Sequence, residues 1–248
     1  MIRDTMSAPP PDGYTLLFVP ASAAVNATLF DNLPFNLLRD IAPVSGLIDF
    51  PLVLVTNPNI GAKNVAELIA LAKANPGKVS IGSFGTGSTS HVAGELFKMM
   101  AGIDIVHVPY RGGAAMVADL IGGQIQIAID VLTGSLAHIR AGTLRPLAVA
   151  DAMRSEFLPD VPVIAETVPL YVANSWCGVG VPKGTPPGIV ERLNREINAG
   201  LRDPAMKARL RDVATTPIIM TPAEFGTYVS AEVEKWGKVI RTSGIRPE

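Results

Sequence analysis

The chain has 248 residues, 48% hydrophobic and 17% charged, which is enough apolar material for one large domain or two lobes. Its formal charge of −1, without a long basic run, argues against a nucleic-acid or anionic-membrane surface. Cys177 is the only cysteine, so an internal disulfide and a cysteine-based metal cluster are both excluded.

The opening segment, "MIRDTMSAPPPDGYTLLFVP", lacks the basic start and continuous apolar run of a secretory signal. Further along, Gly, Pro or charge breaks each apolar run within about 10 residues, so no membrane-spanning helix is expected. The first strand is "YTLLFVP", and "VPASAAVNATLF" places Ser22 near its end. "PLVLVT" follows as a second strand. Asn64 and Glu67 then form a capping-box pattern before the helical stripe Val65, Leu68, Ile69 and Ala72.

The strands "KVSIGS", "DIVHVPY", "IQIAID", "LRPLAVA", "WCGVGVP" and "TPIIMT" come next, mostly with helical patterns between them. Thr185-Pro186 opens a helix with Ile189, Leu193 and Ile197 inward. Thr221, Pro222 and Glu224 open the last helix, whose inward face includes Phe225, Val229, Val233 and Trp236. The strand–helix rhythm predicts an α/β fold, and the near-continuous Val, Ile and Leu of its strands predict mainly parallel sheets. Two proline-flanked apolar segments, "PLVLVTNPN" and "SWCGVGVPKGTPPG", bracket a compact set of β-α units. They fit two crossings around an inserted lobe, and they fit one long doubly wound sheet equally well.

The stretch "IGSFGTGSTSH" carries the most chemistry. Its glycines, Gly82, Gly85 and Gly87, do not match the dinucleotide-binding spacing, and Ser88 stands where a P-loop needs lysine. A G-x-S-x-G nucleophile elbow is absent. What remains is backbone N–H groups, the hydroxyls of Ser83, Thr86, Ser88, Thr89 and Ser90, and a helix N-terminus. Together these make a neutral anion site suited to a carboxylate. An ordinary loop capped by Ser88 or Thr89 is the plainer alternative.

His91, His107 and His138 share no metal spacing and read as structural. Asp130 ends "IQIAID", at the kind of strand end where open α/β sheets place a ligand crevice. It can accept a ligand hydroxyl or ammonium there, or cap the next helix. Arg111 is the one cation at such a turn and reads as a solvated surface residue.

Taken together, "PDGYTLL", "VAELIALAKANPGKVSIGSFGTGSTSHVAGELFKMMAGIDIVHVPYRG", "LIGGQIQIAID", "HIRAGTLRPLAVA" and "LPDVPVIAE" resemble the solute receptors of tripartite tricarboxylate transporters, the Bug or TctC-like proteins. "GTPPGIVERLNREINAGLRDP" and "TPAEFGTYVSAEVEKWGKVI" resemble that family's C-terminal helices. The resemblance implies a two-lobed, hinged fold of the type II periplasmic binding proteins, closing on a small mono- or dicarboxylate.

On that resemblance, 1–56 form the first lobe, 57–174 the inserted lobe, and 175–248 the return. The implied ligand residues are Ser22 and Ala23 in the first lobe, then Ser83, Thr86, Gly87, Ser88 and Thr89 in the second, with Asp130 nearby. The resemblance also implies a periplasmic, non-enzymatic receptor without cofactor or metal, serving the membrane permease subunits of a tripartite transporter. The sequence enters almost directly at "PDGYTLL", without the family's secretion signal and first β-α segment with its "PGG" turn. Self-association through the shortened lobe is therefore expected. Two other functions are weighed beside this one: a ligand sensor for a signalling partner, and a hydrolase using Ser88 with His91.

Overall fold

The computed structural model of the chain describes residues 10–30 and 32–247. The expectations attached to residues 1–9, including the reading of the opening segment, lie outside the described residues. The chain divides into two compact units: one runs to Asp49 and resumes over Trp176–Pro247, and the other is Phe50–Ser175.

The first unit contains β1 (Leu17–Pro20), α1 (Ala21–Leu29), α2 (Leu37–Asp40) and β2 (Ile41–Phe50). Its later part holds β8 (Ser175–Pro182), α7 (Pro187–Arg202), α8 (Pro204–Asp212), β9 (Thr216–Pro217) and α9 (Pro222–Ser243). The four strands lie in the order β1-β8-β2-β9, with β1 antiparallel to β8 and β2 antiparallel to β9. α9 opens at Thr221 and Pro222 as expected, and there Thr221 and Glu224 form a capping box, satisfying each other's backbone N–H groups. Its Phe225, Val229 and Trp236 are buried as expected, whereas Val233 is only half-buried and Glu232 is buried beside it. That carboxylate is tolerated because the indole N–H groups of Trp176 and Trp236 donate to it, at 3.2 and 2.8 Å.

The second unit contains β3 (Leu52–Thr56), α3 (Val65–Ala74), β4 (Ser80–Ser83), α4 (Thr89–Ala101) and β5 (Val106–Pro109). It continues through α5 (Gly113–Ile121), β6 (Ile127–Val131), α6 (Leu132–Arg140) and β7 (Arg145–Val149). The strand order is β5-β4-β6-β3-β7. β4 runs parallel to β5 and β6, whereas β3 runs antiparallel to β6 and β7.

The five-stranded sheet is therefore mixed, and the pairs β1–β8 and β2–β9 of the four-stranded sheet are antiparallel, so the sheets are not mainly parallel. The apolar runs reported burial on both faces, as in the fully buried β3, and burial carries no information on strand direction. The second unit also begins seven residues before the expected boundary at 57, because "PLVLVT" becomes β3 and pairs within this sheet.

Which helix covers which face follows from two neighbouring residues of β4. A Cβ on Gly94 of α4 would lie 3.1 Å from the Ile81 side chain, and a Cβ on Gly82 would lie 2.8 Å from Met116 of α5. Successive strand residues point to opposite faces, so α4 and α5 cover opposite sides of the sheet.

Candidate functional site

The turn between β4 and α4 is built by its own side chains. Ser88 is the N-cap of α4, its hydroxyl accepting from the His91 N–H at 3.3 Å. The same hydroxyl donates to the Gly85 carbonyl at 2.6 Å, and the Ser88 N–H donates to that carbonyl at 3.1 Å. Ser90 accepts the Phe84 N–H at 2.9 Å, and Ser83 accepts the Gly85 N–H at 3.2 Å. The Gly87 N–H donates to His91 Nδ1 at 3.2 Å. Gly85 and Gly87 sit at φ +119° and +78°, which glycine adopts without strain.

The pattern of used and unused donors decides what the turn can hold. Phe84, Gly85, Gly87 and Ser88 all spend their N–H groups internally. Thr86, Thr89 and Ser90 have no acceptor for theirs among the described residues. The Thr86 hydroxyl is buried and also without a partner. A buried polar group in that condition is rare in a folded protein and points to something absent that would complete it. Three N–H groups and one hydroxyl at the start of a 13-residue helix are donors that an anion would satisfy.

The sequence had assigned the whole Thr86–Thr89 run to the ligand. The structure differs in that the Gly87 and Ser88 N–H groups face inward. Thr89 uses its hydroxyl as well, donating to Ser175 at 3.3 Å.

Two features lay beyond sequence reasoning. His91 and His107 stack with ring centroids 3.8 Å apart and an interplanar angle of 11°, and the Ser83 hydroxyl meets His107 Nε2 at 2.6 Å. The histidines are far apart in sequence, and only the parallel β4–α4–β5 crossover brings them together. Composition marks Ser90 as one hydroxyl among several, and the structure shows it as the acceptor that turns the Phe84 N–H inward.

Asp130 lies apart from this cluster. Its carboxylate faces Gly113 of α5 and Gly134 of α6, and a Cβ on Gly134 would come within 3.0 Å of Oδ2. Ser83 shares the α4 face of the sheet by alternation with Gly82, so the sheet separates it from Asp130. Phe84, Gly113, Val117, Ile121, Asp130 and Gly134 line a mainly apolar recess of about 720 Å³. Burial pushes the Asp130 carboxyl up to about 6, against the opposing pull of the Ser135 hydroxyl and the Val131 N–H.

Ser22 and Ala23 occupy the first turn of α1 in the first unit, where Pro20 offers no side-chain cap. Their helix start is a second, separate place with unspent backbone donors. Arg111 is exposed, as expected. Ser88 and His91 do not form a nucleophile–base pair. The serine hydroxyl donates to a carbonyl, and the imidazole Nδ1 is occupied by the Gly87 N–H. Among the described residues no group of His, Cys, Asp and Glu could hold a metal ion, and no helix is long and apolar enough to cross a membrane.

Residues 1–245 match the family described as tripartite tricarboxylate transporter family receptor. Protein BugT of Bordetella pertussis is 40% identical over 238 residues, covering 95% of this chain and 73% of BugT. An R. palustris protein, Rpa4515, solved with adipate, is 35% identical with a TM-score of 0.89, covering 100% of this chain and 84% of that one. The periplasmic binding protein BugD is 26% identical with a TM-score of 0.85, over 100% of this chain and 84% of BugD. The architecture is thus that of the periplasmic binding proteins of the TctC and Bug type.

Proposed function

The chain belongs to the tripartite tricarboxylate transporter receptor family, and from that premise we propose that it captures a small mono- or dicarboxylate in the periplasm and delivers it to the membrane permease subunits of a transporter. The observation that carries this reading is the Thr86 hydroxyl, buried without a partner beside the uncommitted N–H groups of Thr86, Thr89 and Ser90. One carboxylate oxygen accepts from backbone N–H groups at the α4 start, and the hydroxyl donates to the ligand. The relative solved with adipate supports a carboxylate of this size.

Ser22 and Ala23 supply donors of the same kind at the start of α1. The protein acts by binding alone: the one serine–histidine pair weighed as catalytic, Ser88 with His91, is committed to shaping the turn.

A thermal-shift and calorimetric screen tests this directly, starting with adipate. A carboxylate present at one hundred times its dissociation constant stabilises the protein by about 2.7 kcal/mol. If a panel of mono- and dicarboxylates leaves the melting temperature unmoved, the proposal fails.

A further inference from the structure

The recess above Asp130 belongs wholly to the second unit and lies across the sheet from Ser83. Its volume of about 720 Å³ is that of a site for a small organic molecule, and Phe84, Val117 and Ile121 give it an apolar lining. Among the described residues no lysine or arginine lines it, and Asp130 is its one acidic side chain.

The carboxylate is 1% exposed, and no charged neighbour offsets that burial. Its partners are neutral: the Ser135 hydroxyl donates to Oδ2, and the Val131 N–H donates to the same carboxylate. Above pH 6 the group is therefore an anion in an apolar setting, where an unpaired charge is costly. A cation entering the recess relieves that cost.

The helices on either side leave room for one. A Cβ on Gly134 of α6 would have Asp130 carboxylate atoms as its three nearest neighbours, at 3.0, 3.5 and 3.6 Å. A Cβ on Gly113 of α5 would lie 3.8 Å from Oδ1, with the Phe84 ring at 3.3 Å. Glycine weakens a helix relative to alanine, and neither residue has the positive φ that would require it. Both glycines line the recess, so their missing side chains keep it open towards the carboxylate. A positive group lodged there stands within about 4–6 Å of Asp130, a range at which opposite charges stabilise each other.

We propose that this recess binds a small organic ammonium with an apolar tail: the cation settles over Gly113 and Gly134 against Asp130, and the tail lies along Phe84, Val117 and Ile121. It is a second ligand site, and no part of it depends on the carboxylate reading of the β4–α4 turn.

Phenethylammonium is the probe, with phenethyl alcohol as its neutral counterpart and phenylpropionate as its anionic one. All are titrated by calorimetry at about pH 8, where Asp130 is ionised. The ammonium binds at least tenfold more tightly than the alcohol, and phenylpropionate binds more weakly than either. Asp130→Asn removes the charge and keeps the shape, so ammonium and alcohol then bind within about threefold of each other. Ala118→Trp, at an exposed position of α5 that lines the recess, fills it and lowers ammonium affinity tenfold or more.

Equal binding of ammonium and alcohol by the wild type overturns the proposal, and so does the absence of saturable ammonium binding. A preference for the ammonium that survives in Asp130→Asn shows that another group holds the cation. Undiminished binding by Ala118→Trp shows that the ligand sits outside the recess, and either result sinks the assignment. If Asp130→Asn does not fold, Ala118→Trp decides.

Discussion

Ser135 donates its hydroxyl to the Asp130 carboxylate inside the second unit, and that carboxyl still titrates near 6. Burial outweighs the hydrogen bond, so the native state favours the protonated form. The consequence for stability has a definite sign. The native protein holds this proton more tightly than the unfolded chain, so stability from this group is greatest below about pH 4 and is lost as pH rises towards 6. The loss amounts to about 2–3 kcal/mol. Asp130→Asn keeps an acceptor for Ser135 and cannot ionise, so the difference between variant and wild type in urea unfolding grows over that window. A difference that stays flat from pH 4 to 6 would show that Asp130 titrates normally.

Thr86→Val yields two effects of opposite sign. Removing a buried hydroxyl that lacks a partner raises the stability of the unliganded protein by about 1 kcal/mol. The same change deprives a bound carboxylate of a donor and lowers its affinity several-fold. Melting curves with and without adipate measure both. A hydroxyl serving only the fold would give a loss of stability and no change in binding.

Gly87→Val tests the turn through its backbone. At φ +78° any side chain costs about 1–2 kcal/mol, and a β-branched one costs more, so the turn relaxes away from this shape. Adipate affinity falls tenfold or more by calorimetry, while the remainder of the second unit keeps its far-ultraviolet dichroism. Unchanged affinity would place the ligand elsewhere.

Glu232 predicts a purely structural loss in the first unit. Its carboxylate accepts from both Trp176 and Trp236 and from Lys235 at 3.1 Å. Glu232→Ala strands two buried indole donors and costs about 3 kcal/mol in denaturant unfolding. Glu232→Gln costs less, because an amide oxygen still accepts. Equal losses in the two variants would mean that packing, not hydrogen bonding, sets the cost.

The helices were the legible part of this fold. Asn64 caps α3 as its position predicts, although Glu67 takes the Lys63 N–H instead of completing the box, and Thr221 with Glu224 caps α9, since capping depends on residues within one turn. Strand direction was not legible, because Leu52–Thr56 reads the same whichever way its neighbours run. β2 escaped notice for another reason: "IAPVSGLIDF" contains Pro, Ser and Gly, and its pairing is settled by distant partners such as Thr216 and Pro217.

At the candidate site, glycine and hydroxyl composition located the turn and Ser88 as its cap. The assignment of individual N–H groups was not legible. The Gly87 N–H turns to Nδ1 of His91, whose ring stacks on His107, a contact made only after the crossover forms. Asp130 is legible as a residue near a strand end, where β6 runs to Val131, but its burial, and the sheet that lies between it and Ser83, show only in the structure.

The pairing of β1 with β8 sets an order of events during synthesis. Leu17 meets Gly180 across the sheet, so the N-terminal strand leaves the ribosome long before its partner exists. The second unit meets no such delay, because β3 finds β6 and β7 before β8 has been made. Non-local closure of this kind slows folding and leaves early strands exposed to wrong partners. β2 likewise waits for the late segment Thr216–Pro217, its antiparallel partner in β9. The unit begun first is finished last.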